Sequence, residues 1–170
     1  MQRGHSSLQT IKLLEKMRQS VPDIALRTTV IVGFPGETDS DFDELLSFIK
    51  DFKFDRLGVF TYSPEEGTKA FKLKDNVSAK VKKQRLEKIM EVQQSVSLEL
   101  NQKKIGRTFK TVIDRKEGNY YIGRTQFDSP EIDNEVLISS SEHNLIIGEF
   151  YPVKVIKAEP FDLFGTVSRI

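Results

Sequence analysis

The sequence predicts an α/β unit followed by an all-β unit, and three observations carry that reading. β-Branched and apolar runs at residues 24–32 and 57–62 flank a helix-spaced stretch, which is the layout of a βαβ crossover. From residue 103 onward the helical period is lost, and short apolar or β-branched runs follow one another between turn residues. The 170 residues, 38% hydrophobic and 30% charged, suffice for one large or two small well-cored units.

In chain order, Leu8, Ile11, Leu14 and Met17 recur every three residues, with Leu13 widening the stripe, and predict an amphipathic helix over residues 6–19. Pro22 closes it, because the residue before a proline disfavours helical backbone. Residues 24–32 suit a strand buried on both faces of a parallel sheet. The strand ends in the turn-forming loop Gly33-Phe34-Pro35-Gly36-Glu37-Thr38. Thr38 or Asp39 can cap the next helix, and Asp39, Asp41 and Asp43 suit its positive end. Phe42, Leu45, Leu46, Ile49 and Phe52 form its buried face. A second strand, residues 57–62, stops at Ser63-Pro64. Past a loop over residues 65–76, Ser78 caps a long helix reaching about Gln102. Its stripe is Leu86, Ile89, Met90, Gln93, Val96, Ser97 and Leu100, and the polar Gln93 and Ser97 make its far end read as weaker.

Runs near 107–113, 119–125, 134–138, 149–157 and 163–168 then predict five strands, with turns at residues 116–119, 128–130, 148 and 159–160. Strands with no helix between them predict a small five-stranded antiparallel barrel of OB-like type. The boundary falls near residue 103, giving units 1–102 and 103–170.

Cysteine is absent, so these residues offer no disulfide, no thiolate nucleophile and no cysteine-held cluster or zinc. The two histidines, His5 and His143, lie far apart, and no loop has calcium-ligand spacing, so no metal ligand is assigned. A net charge of +1 gives no general attraction to nucleic acid or an anionic membrane. No apolar run approaches the ~20 residues that span a bilayer, and residues 1–5 lack an apolar signal region. A cytoplasmic location with no membrane contact is the expectation.

The loop from Gly33 to Thr38 lies at the carboxyl end of a strand, where α/β folds gather ligands. Gly33 and Gly36 would let backbone approach a ligand closely, and Glu37 could accept bonds from a hydroxyl or amine. An ordinary strand-to-helix turn stiffened by Pro35 accounts for the same residues, and spacing alone does not choose. It is not a P-loop, because no Lys-Ser or Lys-Thr follows the second glycine. Tyr62 and Ser63 occupy the equivalent edge of the next strand and could line the same cavity, although a capped turn with a half-buried tyrosine is the plainer account. Nothing resembles a nucleophile elbow or a spaced triad, so no catalytic residue is assigned.

Residues 103–170 hold ten basic and ten acidic side chains. An RNA-binding barrel normally shows a basic face, because phosphate neutralisation supplies much of its affinity. Residues 128–135 form a local acidic cluster instead, which fits a basic protein partner better than RNA. Asp128, Glu131 and Asp133 are its substrate-binding candidates, and a solvated loop is the plainer alternative.

Several motifs combine into a resemblance. Met1-Gln2-Arg3-Gly4-His5, Thr28-Thr29-Val30-Ile31-Val32-Gly33-Phe34-Pro35-Gly36-Glu37-Thr38, the stretch from Phe54 to Thr68 and Gln93-Gln94 resemble the radical S-adenosylmethionine methylthiotransferase family. Ser129-Pro130-Glu131-Ile132-Asp133 resembles that family's carboxy-terminal TRAM domain. The likeness spans essentially the whole chain, in the family's order. Within the family, the stretch from Phe54 to Ser63 and the non-basic barrel tilt toward the branch that modifies an aspartate of small-subunit ribosomal protein twelve, on the ribosome or free of it. The branch acting on adenosine in transfer RNA is the alternative, and an isolated OB-like binding module without catalysis is another.

The resemblance implies that residues 1–102 are the carboxy-terminal portion of a partial (β/α) radical-SAM barrel and residues 103–170 a TRAM domain. It implies an intact enzyme with two 4Fe–4S clusters, one in an amino-terminal domain and one on a CxxxCxxC motif. In such an enzyme S-adenosylmethionine would be cleaved reductively to methionine and a deoxyadenosyl radical that takes hydrogen from the target carbon, and a methylthio group would then be delivered. None of those cysteines is present, so Met1 is expected to fall inside a longer reading frame and the fragment alone to be inactive. Ile31, Val32, Gly33, Phe34, Pro35 and Glu37, with Thr61 and Tyr62 nearby, would pack against the adenine and amino-acid parts of S-adenosylmethionine.

Overall fold

The computed structural model of the protein describes residues 6–130 and 132–168. Helix α1 (Ser7–Ser20), strand β1 (Arg27–Val32), helix α2 (Asp39–Phe52) and strand β2 (Arg56–Thr61) follow in order. A single 3-10 turn at Ala70–Lys72 precedes the long helix α3 (Ala79–Gln102). β1 and β2 pair in parallel, from Arg27 beside Arg56 to Val32 beside Thr61, as a crossover requires. Thr38 caps α2: its hydroxyl accepts the Asp41 N–H at 3.2 Å while the Asp41 carboxylate accepts the Thr38 N–H at 2.8 Å. Ser78 caps α3 with a single bond, its hydroxyl accepting the Val81 N–H at 3.3 Å.

Both long helices cover one face of the two-stranded sheet. Phe42, Ile49, Ile89, Val92 and Val96 from the helices meet Val30, Val32, Leu57 and Val59 from the strands in one core. The opposite face carries Arg27, Thr29 and Ile31 beside Arg56, Gly58 and Phe60, and Phe60 is 62% exposed. The expectation that β1 is buried on both faces is therefore corrected. The strand starts at Arg27, and burial alternates along it because the helices pack on one side only. α1 has no fully buried residue: Ile11 and Leu14 are half-buried, while Leu8 and Leu13 stay exposed.

Beyond α3 come β3 (Thr108–Glu117), β4 (Tyr120–Thr125), β5 (Glu135–Ser139), β6 (Phe150–Ala158) and β7 (Asp162–Val167). They close into a barrel in the order β3-β4-β5-β7-β6, which leaves no sheet edge open. Strands pair antiparallel except β5 with β7, which run parallel. That corrects the purely antiparallel expectation, and parity explains it. Five strands cannot alternate direction all the way round a closed ring, so one neighbouring pair must share a direction. Register shifts at Ile113/Arg115 and Val155/Lys157 help bend the strands around a core of Ile113, Tyr121, Val136, Ile138, Val153, Val155 and Leu163.

Candidate functional site

The parallel register sets the carboxyl tips of β1 and β2 side by side. The Tyr62 N–H donates to the Val32 carbonyl at 2.8 Å, extending the ladder by one bond. Just beyond, the Phe34 and Tyr62 rings meet edge-on with centroids 5.1 Å apart. Ile31, Phe34, Thr61 and Tyr62 line a pocket of about 720 Å³, with Thr68, Ala70 and Leu73 among its other walls. The Tyr62 hydroxyl donates to the Ala70 carbonyl at 3.2 Å, which ties the following loop to the strand tip.

The other four candidates from this edge stand behind that wall. Val32 is fully buried in the helix-facing core, and Gly33 is buried in the turn with φ +72°. Pro35 is half-buried there. Glu37 turns inward: its carboxylate accepts the Gly33 N–H at 2.9 Å and the Arg85 guanidinium at 2.5 Å. Glu37 thus closes the loop on itself, with both partners supplied by this chain.

The sequence reading missed the residues that brace this loop from α3. Arg85 bonds both Glu37 and Asp39. Burial opposes its charge, but the hydrogen bonds to Asp39 and Glu37 outweigh it, so its pKa is raised. Lys82 donates to the Tyr62 carbonyl at 3.1 Å, pairs with Asp75 at 2.6 Å and lies over the Tyr62 ring. Asn76 accepts the Gly36 N–H at 2.7 Å. A signal existed: stepping back from Val96, Val92 and Ile89 by helical turns lands on Arg85 and Lys82, two cations in phase with a buried stripe.

The hydrogen bond from Lys82 holds Asp75 below its ordinary pKa of 3.8. A depressed carboxyl pKa adds stability above the unfolded-state value, and that contribution fades as pH falls through the folded-state value. Asp75→Asn is therefore expected to lower the thermal midpoint slightly at neutral pH. The gap to the parent protein should close below about pH 4, as melting curves across pH 2–7 would show.

Asp128 and Asp133 lie elsewhere, at the joint between the two units. Asp128 pairs with Arg56 and accepts the Thr125 hydroxyl at 2.6 Å. Asp133 pairs with Arg27 and accepts the Ser129 N–H at 2.7 Å. Their side chains are only 1% and 3% exposed, so this chain's own arginines occupy both carboxylates. Glu131 lies outside the described residues. The polar positions of α3 serve the same joint. Ser97 donates to the Pro160 carbonyl, and Asn101 donates to the Glu159 carbonyl at 3.0 Å. What reads in sequence as a weakening stripe is the seat of the barrel.

Among the described residues, no group of three or more His, Asp or Glu could hold a metal, and no helix is long and apolar enough to cross a membrane. The fold and site define a class: a parallel-stranded α/β segment with a ligand-sized pocket at its strand tips, joined to a small closed barrel. Residues 105–167 match the TRAM domain family. The chain is 56% identical over 168 residues to a protein of Phocaeicola vulgatus named "Ribosomal protein uS12 methylthiotransferase RimO", covering 98% of this chain and 39% of that protein. Relatives of the same name from Christiangramia forsetii and Cytophaga hutchinsonii are 53% and 50% identical, over 97% and 99% of the chain. Over nearly its whole length the chain is therefore similar to part of proteins named as methylthiotransferases. It spans about two fifths of the length of these relatives, 37–39%.

Proposed function

We propose that the chain is the carboxy-terminal part of an enzyme that adds a methylthio group to an aspartate of ribosomal protein uS12 by radical S-adenosylmethionine chemistry. The observation that carries this reading is the pocket at the strand tips. Four of the eight residues read as cofactor contacts, Ile31, Phe34, Thr61 and Tyr62, line it together, in a chain half identical to proteins named for that activity.

The pocket suits one wall of an S-adenosylmethionine site. Ile31, Phe34 and Tyr62 offer an apolar and aromatic surface for an adenine, and Thr61 and Ser63 add hydroxyls at its edge. When bound, S-adenosylmethionine and the iron–sulfur clusters supply the one-electron chemistry; these side chains hold the ligand in place and exclude water. The chain does not suit a cluster: it has no cysteine, and the described residues offer no metal-binding group. Both 4Fe–4S clusters would be held by the remainder of the longer protein, and this chain alone would be inactive. Residues 1–102 would belong to the catalytic domain and 103–170 to a barrel that presents uS12 in the cytoplasm. Transfer RNA is the second reading, disfavoured by the barrel's ten-to-ten charge balance.

Two measurements test this. After incubation with iron, sulfide and reductant the chain is expected to remain colourless, and a brown cluster-bearing product would contradict the assignment of the clusters elsewhere. In pull-downs at matched salt, uS12 is expected to be retained over transfer RNA. Strong RNA binding that falls steeply with salt would favour the second reading.

A further inference from the structure

Among the described residues, three buried side-chain atoms have no hydrogen-bond partner: Arg56 Nε, Gln93 Oε1 and Asn134 Nδ2. Native proteins keep few such atoms, because each forfeits its bonds to water. All three residues line one groove of about 430 Å³ between β2, α3 and the barrel. Gln93 is 3% exposed and Asn134 is 4% exposed. The Asp133 carboxylate approaches Arg56 Nε at 3.7 Å, beyond hydrogen-bond reach.

The chemistry of the three atoms is specific. Gln93 donates its amide nitrogen to the Phe54 carbonyl at 3.0 Å, which leaves its oxygen as the unused acceptor. Arg56 Nε and Asn134 Nδ2 are donors. Two donors and one acceptor match a peptide group, whose carbonyl accepts and whose N–H donates. A phosphate would meet the Gln93 oxygen as a second acceptor and gain nothing there. Phe60, Met90, Ile132 and Phe161 border the groove as exposed apolar side chains, suited to the side chains of such a segment. The groove runs over residues of both strands, Arg27, Thr28 and Thr29 beside Arg56, Leu57 and Gly58, and β2 pairs with no strand but β1 among the described residues.

We propose that this groove holds an extended polypeptide segment of the protein substrate through its backbone amides. The proposal rests on the reading that the substrate is a protein, and it names where that substrate is gripped. Asn134→Leu removes an orphan donor at similar size. It is expected to leave the thermal midpoint of the chain unchanged or raised while weakening uS12 binding about tenfold, the effect of one or two lost hydrogen bonds. N-acetyl-leucine methylamide, a blocked single residue, is expected to shift the side-chain amide resonances of Gln93 and Asn134 in the parent protein.

The outcomes separate cleanly. A lowered midpoint for Asn134→Leu would mean that an ordered water satisfies the atom, and would overturn the proposal. So would uS12 binding that survives the substitution, which leaves the enzymatic reading standing. If the methylamide shifts both resonances but uS12 fails to bind, the groove stands as a peptide site and the substrate assignment falls.

Discussion

Arg56→Ala is expected to destabilise the protein by about 3–5 kcal/mol, the usual cost of breaking one side of a buried ion pair. The Arg56 side chain is 12% exposed and that of its partner Asp128 is 1% exposed. Once the guanidinium is gone, the hydrogen bond left to the carboxylate among the described side chains comes from the Thr125 hydroxyl, too little to offset its lost hydration. The loss should appear in urea unfolding as a lower midpoint. The double variant Arg56→Met/Asp128→Leu is expected to recover most of the loss, because apolar replacement of both partners leaves no charge stranded. Lys83→Ala supplies the contrast. Its pair with Glu87 is open to solvent, and removing it should change stability by less than about 1 kcal/mol. A comparably small loss for Arg56→Ala would show that the joint is wet and that the two units are not locked by charge.

Gly33→Ala is expected to cost about 2–5 kcal/mol, from two separable sources. The backbone sits at φ +72°, where an L side chain costs ~1–2 kcal/mol. An added Cβ would also press into the root of Lys82, with that residue's Cβ at 3.2 Å, and overpacking of this kind costs ~1–3 kcal/mol. Gly36→Ala isolates the first source, because Gly36 has φ +89° but nothing within 4 Å of a new Cβ. The larger effect of Gly33→Ala should be accompanied by altered near-ultraviolet dichroism, since Lys82 holds the Tyr62 carbonyl and ring beside Phe34. Equal losses for the two variants would mean that Lys82 moves aside freely, and that the loop is not braced by α3.

The legibility of this protein follows the range of its interactions. Helix caps at Thr38 and Ser78 were readable because a cap is settled within one turn, by a hydroxyl and an N–H three residues away. The βαβ order was readable because the period changes from two to nearly four within a short window. The strand tips followed directly, since parallel strands joined by a crossover must end on the same side; hence Ile31, Phe34, Thr61 and Tyr62 meet. Burial of β1 was misjudged because an apolar run cannot say how many layers will cover it.

The acidic cluster shows the opposite limit. In sequence, Asp128 and Asp133 are neighbours among charges and read as free surface. In space, Asp128 meets Arg56, 72 residues earlier, and Asp133 meets Arg27, 106 residues earlier. Gln93 and Ser97 look like flaws in an apolar stripe until the fold brings the Phe54 carbonyl to Gln93 and the barrel brings the Pro160 carbonyl to Ser97. By itself the sequence determined the elements, their order and which strand tips lie side by side, because backbone periodicity and capping are settled among near neighbours. Only the tertiary structure decided which charges are spent on the joint, which polar atoms are left unpaired beside it, and which face of the sheet stays open. Those outcomes depend on how the sheet-and-helix layer and the barrel meet, and no local pattern encodes that meeting.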